Sequence, residues 1–472
     1  MAVFSIIKLS ELEGAKRIDA EYYKPEYLKV KQKLLQTKFV YFRDLVKEII
    51  HPKEIKREYE EEKQDYLFLL AQNVRPLMLD LSERKYISEE KAKQMPKNLL
   101  EKGDILFVRS GNVGDLTIYT GEPNKCIASA DLLVAKIIFR HPYYIGVFLN
   151  TFWGRKILLR GIYSGLQPHI APTYIKQIPI PIFSEDLMTN IDNLFLQAQD
   201  LLKQSQNLYS HAENLLLEEL GLKDFKPKYE KTYTAKLSDA FSAHRIDAEY
   251  FQPAYEEILR IVSKKYSLIP LKVIFDFRRG VFIPTNFYSE QKTGRPYIRI
   301  KELSGKLGID ESKIIFISDD YPNDEINQLQ ENDLVIAIIG DTIGKTNRLP
   351  KELAGGFCSN NTGRLRIKLG FKEKVLPEYA EILFQSIVIQ SQIEKKKAQT
   401  GQPKISDNEI KSMKIPLLPL SIQQEIASLV QQSHEARKKA KELLEIAKKA
   451  VEIAIEKNEK KALDYILKTF YE

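Results

Sequence analysis

RIDAEYYKPEY, residues 17–27, returns as RIDAEYFQPAY at residues 245–255, with eight of eleven positions identical at an offset of 228. Solenoid units recur every ~20–50 residues, so a period this long marks a duplicated domain. The repetition continues outward from the motif. DYLFLLAQNV (65–74) faces RPYIRIKELS (295–304), and GDILFVRSGNVGD (103–115) faces NDLVIAIIGDTIGK (332–345). Cys126 then falls opposite Cys358. SGLQPHIAPTYIKQIPIPIF (164–183) matches TGQPKISDNEIKSMKIPLLPL (400–420), by which point the offset has drifted only to 235. Order and length are kept while most residues differ.

At 472 residues with 43% hydrophobic content, the chain has room for two or three domains with filled cores. It holds no run of about 18 apolar residues. Its opening, MAVFSIIKLSELEGAKRIDAE, turns polar too early for a secretory leader. A soluble, cytoplasmic protein without a membrane partner is expected. The two cysteines sit in short apolar contexts at equivalent repeat positions and read as buried strand residues. Neither has a second Cys or a spaced His pair beside it, so a disulfide or zinc site is not expected. A net charge of +8 is compatible with nucleic acid without requiring it.

Within each copy, short β-branched or aromatic runs bounded by Gly, Pro and Asn predict strands. A helix is expected after each Tyr-rich motif, over 26–36 and 254–266, and another over 143–161 and 377–397. Each copy is therefore a mixed α/β globule of about 185 residues. After each Pro-rich strand the texture changes. Ile191, Leu194, Ala198, Leu201, Ser205, Leu208, Ala212 and Leu215 alternate in steps of three and four. Adding 235 to each gives Ile426, Leu429, Ser433, Ala436, Ala440, Leu443, Ala447 and Ala450. Neither Gly nor Pro interrupts 186–220 or 421–472. Two heptad seams in one phase predict two long helices packed on each other as a coiled coil, the roughly 35 residues of the first making a rod of about 50 Å at 1.5 Å per residue. For the chain to return, the helices must run antiparallel. The fold class expected is α+β: two similar globules separated by an antiparallel helix pair, with pseudo-two-fold symmetry. The predicted boundaries are 1–185, 186–235, 236–420 and 421–472.

The chemistry of catalysis is missing. A phosphate-cradling loop needs four residues between its glycines, and GDTIGKT (340–346) has three. No Pro-Pro pair exists to build a base-methylation loop, and a glycine-rich cofactor fingerprint is absent. The six histidines show no ligand spacing, and no metal or cofactor is expected. Cations do recur near the predicted turns: Arg84, Lys85, Arg109, Arg279, Arg295, Arg299, Lys301, Lys345, Arg348, Arg364 and Lys404. Arg and Lys fix phosphates, and Arg can grip a guanine edge with two hydrogen bonds. Ser110, Asn112, Gln167, His169, Asn360, Asn361 and Gln402 add groups able to read bases on similar loops.

The chain at this point resembles the DNA-specificity subunits of type I restriction-modification enzymes. The resemblance rests on the duplicated domain, the strands before Gly111/Gly114 and Gly340/Gly344, and the turns at 165–168 and 401–403. It also rests on IPIPIF and IPLLPL, and on SIQQEIASLV opening a long helix. The first copy departs from this at 186–191, which read DLMTNI. The resemblance implies a non-catalytic subunit whose two target-recognition domains read the halves of a split double-stranded DNA target. Two methyltransferase subunits would dock on the helices, and restriction and motor subunits would join them. The rival readings are a self-contained nucleotide hydrolase or nuclease, and a structural coiled-coil protein.

Overall fold

The structure, a computed structural model, describes residues 4–13, 17–54, 59, 66–163, 168–289, 293–322, 324–398 and 401–471. It separates into two compact units, Met1–Lys203 with Ala436–Glu472, and Gln204–Glu435.

In the first unit, Pro25 opens helix α1 (Pro25–Leu35), using the fixed φ of proline where no N–H partner is needed. Strand β1 (Phe39–Tyr41) pairs antiparallel with the Pro-rich strand β11 (Pro179–Pro181). Strands β2 (Val46–Ile50), β8 (Leu132–Ile137), β5 (Ile105–Val108) and β6 (Leu116–Ile118) form an antiparallel sheet in that order. A smaller sheet places β3 (Tyr66–Leu69) between β4 (Tyr86–Ile87) and β7 (Cys126–Ala128), parallel to the latter. Helices α2 (Pro142–Asn150) and α3 (Phe152–Arg160) lead to the short hairpin β9 (Ile162–Tyr163) and β10 (His169–Ile170).

The second unit repeats this plan. Helix α5 (Pro253–Ser263) precedes β12 (Leu268–Pro270), which pairs with β21 (Lys414–Pro416). The four-stranded antiparallel sheet runs β13 (Phe275–Arg279), β20 (Thr362–Ile367), β17 (Leu334–Ala337), β18 (Thr346–Arg348). The other sheet runs β14 (Tyr288–Ser289), β16 (Ile315–Ile317), β15 (Arg295–Ile298), β19 (Phe357–Cys358). Helices α6 (Pro377–Gln385) and α7 (Ile387–Lys396) follow. Lys136 meets Asp104 at 2.7 Å in one copy, and Arg366 meets Asp333 at 2.7 Å in the other, at matching places in the two sheets. Cys126 and Cys358 are buried strand residues, as the sequence predicts.

The single helix expected over 143–161 is two helices meeting at a corner, and so is its counterpart over 377–397. Thr151 turns its hydroxyl onto the Phe148 carbonyl (2.6 Å) and accepts from Gly154 N–H (3.1 Å), ending α2 and capping α3. Ser386 likewise bonds the Leu383 carbonyl at 2.7 Å. The corner is so tight that a Cβ on Gly154 would lie 2.0 Å from the Phe148 oxygen. Gly154→Ala is therefore expected to destabilise the first unit by about 1–3 kcal/mol or more through forced backbone displacement. A urea midpoint equal to wild type would refute this.

Two long helices follow the globules: α4 (Glu185–Glu219) and α8 (Leu420–Glu456). The second does not continue to the chain end. It stops before Asn458, whose side chain caps Lys461 N–H (2.9 Å) at the start of α9 (Glu459–Tyr471). In the first unit, Leu187, Ile191, Phe195, Ala198 and Leu202 share one apolar core with Ala440, Leu444, Ala447 and Val451. In the second unit, Tyr209, Ala212 and Leu216 share a core with Ile426 and Val430. There the Ser433 hydroxyl donates to the Ser205 carbonyl at 2.8 Å.

The predicted seam needs one correction of phase. Ile191, Leu194, Ala198, Ile426, Ala436, Ala440, Ala447 and Ala450 are buried as expected, whereas Leu201, Leu208, Leu215, Leu429 and Leu443 are only half-buried. The next residue after each, Leu202, Tyr209, Leu216, Val430 and Leu444, is the buried one. The 235-residue equivalence survives the shift, since Tyr209 matches Leu444 and Leu216 matches Val451.

Candidate nucleic-acid interface

The four-stranded sheet of each unit gathers loops at one edge because its strands are antiparallel. In the second unit, Arg279 ends β13 opposite Gly363, and Ala337 ends β17 opposite Thr362, the first residue of β20. The loops leaving that edge are tied by their backbones. Ile338 N–H donates to the Asn361 carbonyl (3.1 Å), Gly340 N–H to that of Pro403 (2.9 Å), and Val281 N–H to that of Cys358 (2.9 Å). The segments that leave that edge carry exposed Arg279, Asn360, Asn361, Gln402 and Lys404 and half-exposed Lys345. Gly344 turns the loop with a φ of +88° and gives its carbonyl to Gln390 Nε2 (3.1 Å). The GDTIGKT segment is thus a strand-linking turn, not a phosphate cradle.

In the first unit, Ile50 pairs with Val134 and Val108 with Leu132, which makes the equivalent edge. Arg109 and Ser110 both donate their N–H groups to the Asp131 carbonyl, at 2.8 and 3.4 Å. His51 Nε2 lies 3.2 Å from the Ala130 carbonyl. Half-exposed Arg109 and Ser110 and exposed Asn112 therefore stand together with His51. His169 stacks on Tyr163 with ring centroids 5.3 Å apart, and the Arg17 guanidinium sits 4.1 Å from the same Tyr163 centroid. The repeated motif itself is a clamp. Arg17 grips Asp19 at 2.7 Å and Arg245 grips Asp247 at 2.6 Å, each in a fork. Gln167 lies outside the described residues.

The remaining candidates divide. Arg84, Lys85 and Lys301 are exposed. Among the described residues, Arg109, Lys301, Lys345 and Lys404 have no ion-pair partner, so their charge is available. Arg279 is partly committed to Asp407 (2.8 Å). Four arginines turn inward. Arg295 bonds the Ser318 carbonyl (3.4 Å) and lies 5.1 Å from the Phe357 ring centroid. Arg299 pairs with Glu302 (2.5 Å), a carboxylate with no exposed surface, and with the Lys313 carbonyl (3.1 Å). Arg348 pairs with buried Glu381 (2.8 Å). Arg364 is 2% exposed and bonds Asp276 at 2.9 Å. Burial holds the Arg364 guanidinium below its ordinary pKa, with Arg366 adding to the effect. All four guanidinium groups are engaged within the fold, Arg364 buried and Arg295, Arg299 and Arg348 partly exposed.

The residue list drawn from sequence omits His51, Ala130 and Asp131, which share the first unit's edge. Aligning the copies through the strands that flank the turn, Ser129–Asp131 against Ser359–Asn361, would have found the last two. Among the described residues there is no group of His, Cys, Asp and Glu fit to hold a metal ion, and no helix long and apolar enough to cross a membrane.

The family model described as type I restriction modification DNA specificity domain matches residues 264–448. A protein of Methanocaldococcus jannaschii, named as the specificity subunit of the type I restriction enzyme MjaX, is 24% identical over 389 residues, covering 79% of this chain and 82% of its own. Among solved structures, the S subunit of a type I restriction-modification system from M. genitalium is similar at 13% identity and a TM-score of 0.41, over 87% of this chain and 94% of that one. The HsdS subunit from Thermoanaerobacter tengcongensis is similar at 13% identity and a TM-score of 0.29, over 89% and 97%.

Proposed function

We propose that the chain belongs to the DNA-specificity family of type I restriction-modification systems. It is a non-catalytic DNA-recognition subunit, and each unit reads one half of a split double-stranded target through the loops at its sheet edge. The observation that carries this is the pair of equivalent edges, built on the same backbone but carrying different polar side chains: Arg109, Ser110 and Asn112 on one, and Lys345, Asn360, Asn361, Gln402 and Lys404 on the other. Divergent edges on one scaffold suit two different half-sites. Cations position the duplex by its phosphates, and amides and hydroxyls read base edges.

The helices α4 and α8 are the spacer in this reading, running antiparallel as a coiled coil with pseudo-two-fold symmetry. Their equivalent surfaces take two identical methyltransferase subunits, and restriction and motor subunits complete the enzyme in the cytoplasm. The domain boundaries 1–185, 186–235, 236–420 and 421–472 express the same proposal. About 50 Å of helix is roughly one and a half turns of B-form DNA, which bounds the distance between half-site centres.

The test exchanges residues 1–185 for the equivalent domain of a relative and sequences the methylated sites in a host carrying the chain with its methyltransferase. One half of the target is expected to change and the other to stay. An unchanged target, or loss of both halves with the complex still assembled, would refute the modular reading.

A further inference from the structure

The turn before the central strand of each four-stranded sheet has one backbone and two sets of side chains. In the second unit Ser359 N–H donates to the Ile298 carbonyl (2.8 Å), and Thr362 N–H returns to the Ser359 carbonyl (2.8 Å). The loop after β17 then donates Ile338 N–H to the Asn361 carbonyl (3.1 Å). In the first unit the same three bonds are Ser129 N–H to Leu69 (2.9 Å), Leu132 N–H to Ser129 (3.1 Å), and Arg109 N–H to Asp131 (2.8 Å). Both serines are buried, at 5% and 1% exposure, so each turn is fixed to its two sheets at its first residue. The two residues that follow differ: Asn360 and Asn361 in one copy, Ala130 and Asp131 in the other.

Asn360 and Asn361 are exposed, and among the described residues neither side-chain amide has a hydrogen-bond partner. Free amides on a fixed turn lose little freedom on binding, because the backbone is already ordered. They stand at the same edge as Lys345 and Lys404, cations without an ion-pair partner among the described residues that can hold the phosphates on either side.

We propose that the turn 359–361 is the specificity-determining element of the second unit, and that Asn360 and Asn361 read adenine in the half-site that unit contacts. The inference rests on the DNA-recognition reading above. An asparagine amide offers one donor and one acceptor in the spacing of adenine N7 and N6 in the major groove. Alanine and aspartate at the equivalent places suit other edges: the apolar methyl fits thymine, and a carboxylate accepts from the amino group of cytosine. The fold thus presents a socket whose side chains set the base.

The test grafts the first unit's residues onto the second turn, Asn360→Ala with Asn361→Asp, in the full chain assembled with its methyltransferase subunits, and selects binding sites from a pool of random duplexes. The first unit already carries these residues on the same backbone, so the graft is compatible with the fold, and assembly with the methyltransferase checks it. Discrimination for adenine at the positions these two residues read in one half-site is expected to fall about tenfold to a hundredfold at each, with the other half-site unaltered. Two results overturn the proposal while leaving the modular reading intact. One is an unaltered selected sequence. The other is a uniform loss of affinity across all duplexes, which marks the amides as phosphate contacts. A wild-type complex that selects no sequence at all overturns both.

Discussion

Glu381→Gln is expected to destabilise the second unit by about 3–5 kcal/mol, as removing one partner of a buried ion pair does. Glu381 lies on α6 with its side chain 3% exposed. Arg348 on β18 donates Nε–H to its Oε2 at 2.8 Å, and His434 Nε2 on α8 lies 3.0 Å from its Oε1. One carboxylate therefore joins a strand, a helix of the globule and a long helix. Burial alone would push the carboxyl up, but the His434 ring and the Arg348 guanidinium outweigh it and bring its pKa to about 2 from the ordinary 4.5. A pKa depressed in the folded state contributes stability that is present above pH 4.5 and lost as pH falls toward 2. The glutamine variant should therefore lose most at neutral pH and converge on wild type in acid. Urea unfolding of the full chain at several pH values checks both parts, and a difference below about 1 kcal/mol at pH 7 would refute the assignment.

The first unit solves the same contact without charge, which shows what sequence could and could not reveal. Aligned through their strands and helices, Arg348 matches Ile118 and Glu381 matches Gly146. A Cβ on Gly146 would lie 2.0 Å from Ile118 Cδ1, so helix and strand there touch directly. Replacing both Arg348 and Glu381 with isoleucine and glycine should accordingly cost less than Glu381→Gln alone. The same alignment sets Arg364 against Val134, which is fully buried. Arginines read as groove contacts are recognisable as interior once the other copy shows an apolar residue in their place. Composition alone could not show this, because an arginine near a turn reaches either way.

The duplication and the element order were legible because they depend on local signals: Pro25 and Pro253 opening helices, Pro-rich strands closing each globule, and long stretches free of helix breakers. The helix corners at Thr151 and Ser386 were not. Each residue is unremarkable in a helical stretch, and the corner is imposed by the hydroxyl turning back onto the preceding turn. The reading edge was legible only in part. Residues such as Lys345 and Asn360 stood out by type, but their convergence comes from strand pairing between segments distant in the chain.

Leu202→Asp is expected to cost the first unit at least about 4 kcal/mol, whereas Leu201→Asp beside it should cost much less. Both are leucines, as both residues are apolar at 208 and 209 and at 215 and 216, so a heptad count on α4 had two admissible phases. The globule breaks the tie. Its core covers the helix from one side and buries Leu202 to 7% exposure, leaving Leu201 half-buried at the margin. Losing a buried leucine costs about 2–5 kcal/mol. A carboxylate left in that site without a partner adds its desolvation. At the margin, water reaches the carboxylate and most of the penalty disappears. Leu202 shares its apolar core with Ala440 and Leu444 of α8, so its replacement should also release that part of α8 from the unit, read as lost amide protection over 440–451 in hydrogen exchange. Equal costs for the two substitutions, or a larger one at 201, would restore the other phase. Loss of stability with protection over 440–451 intact would mean that α8 is held by the globule and not by its partner helix.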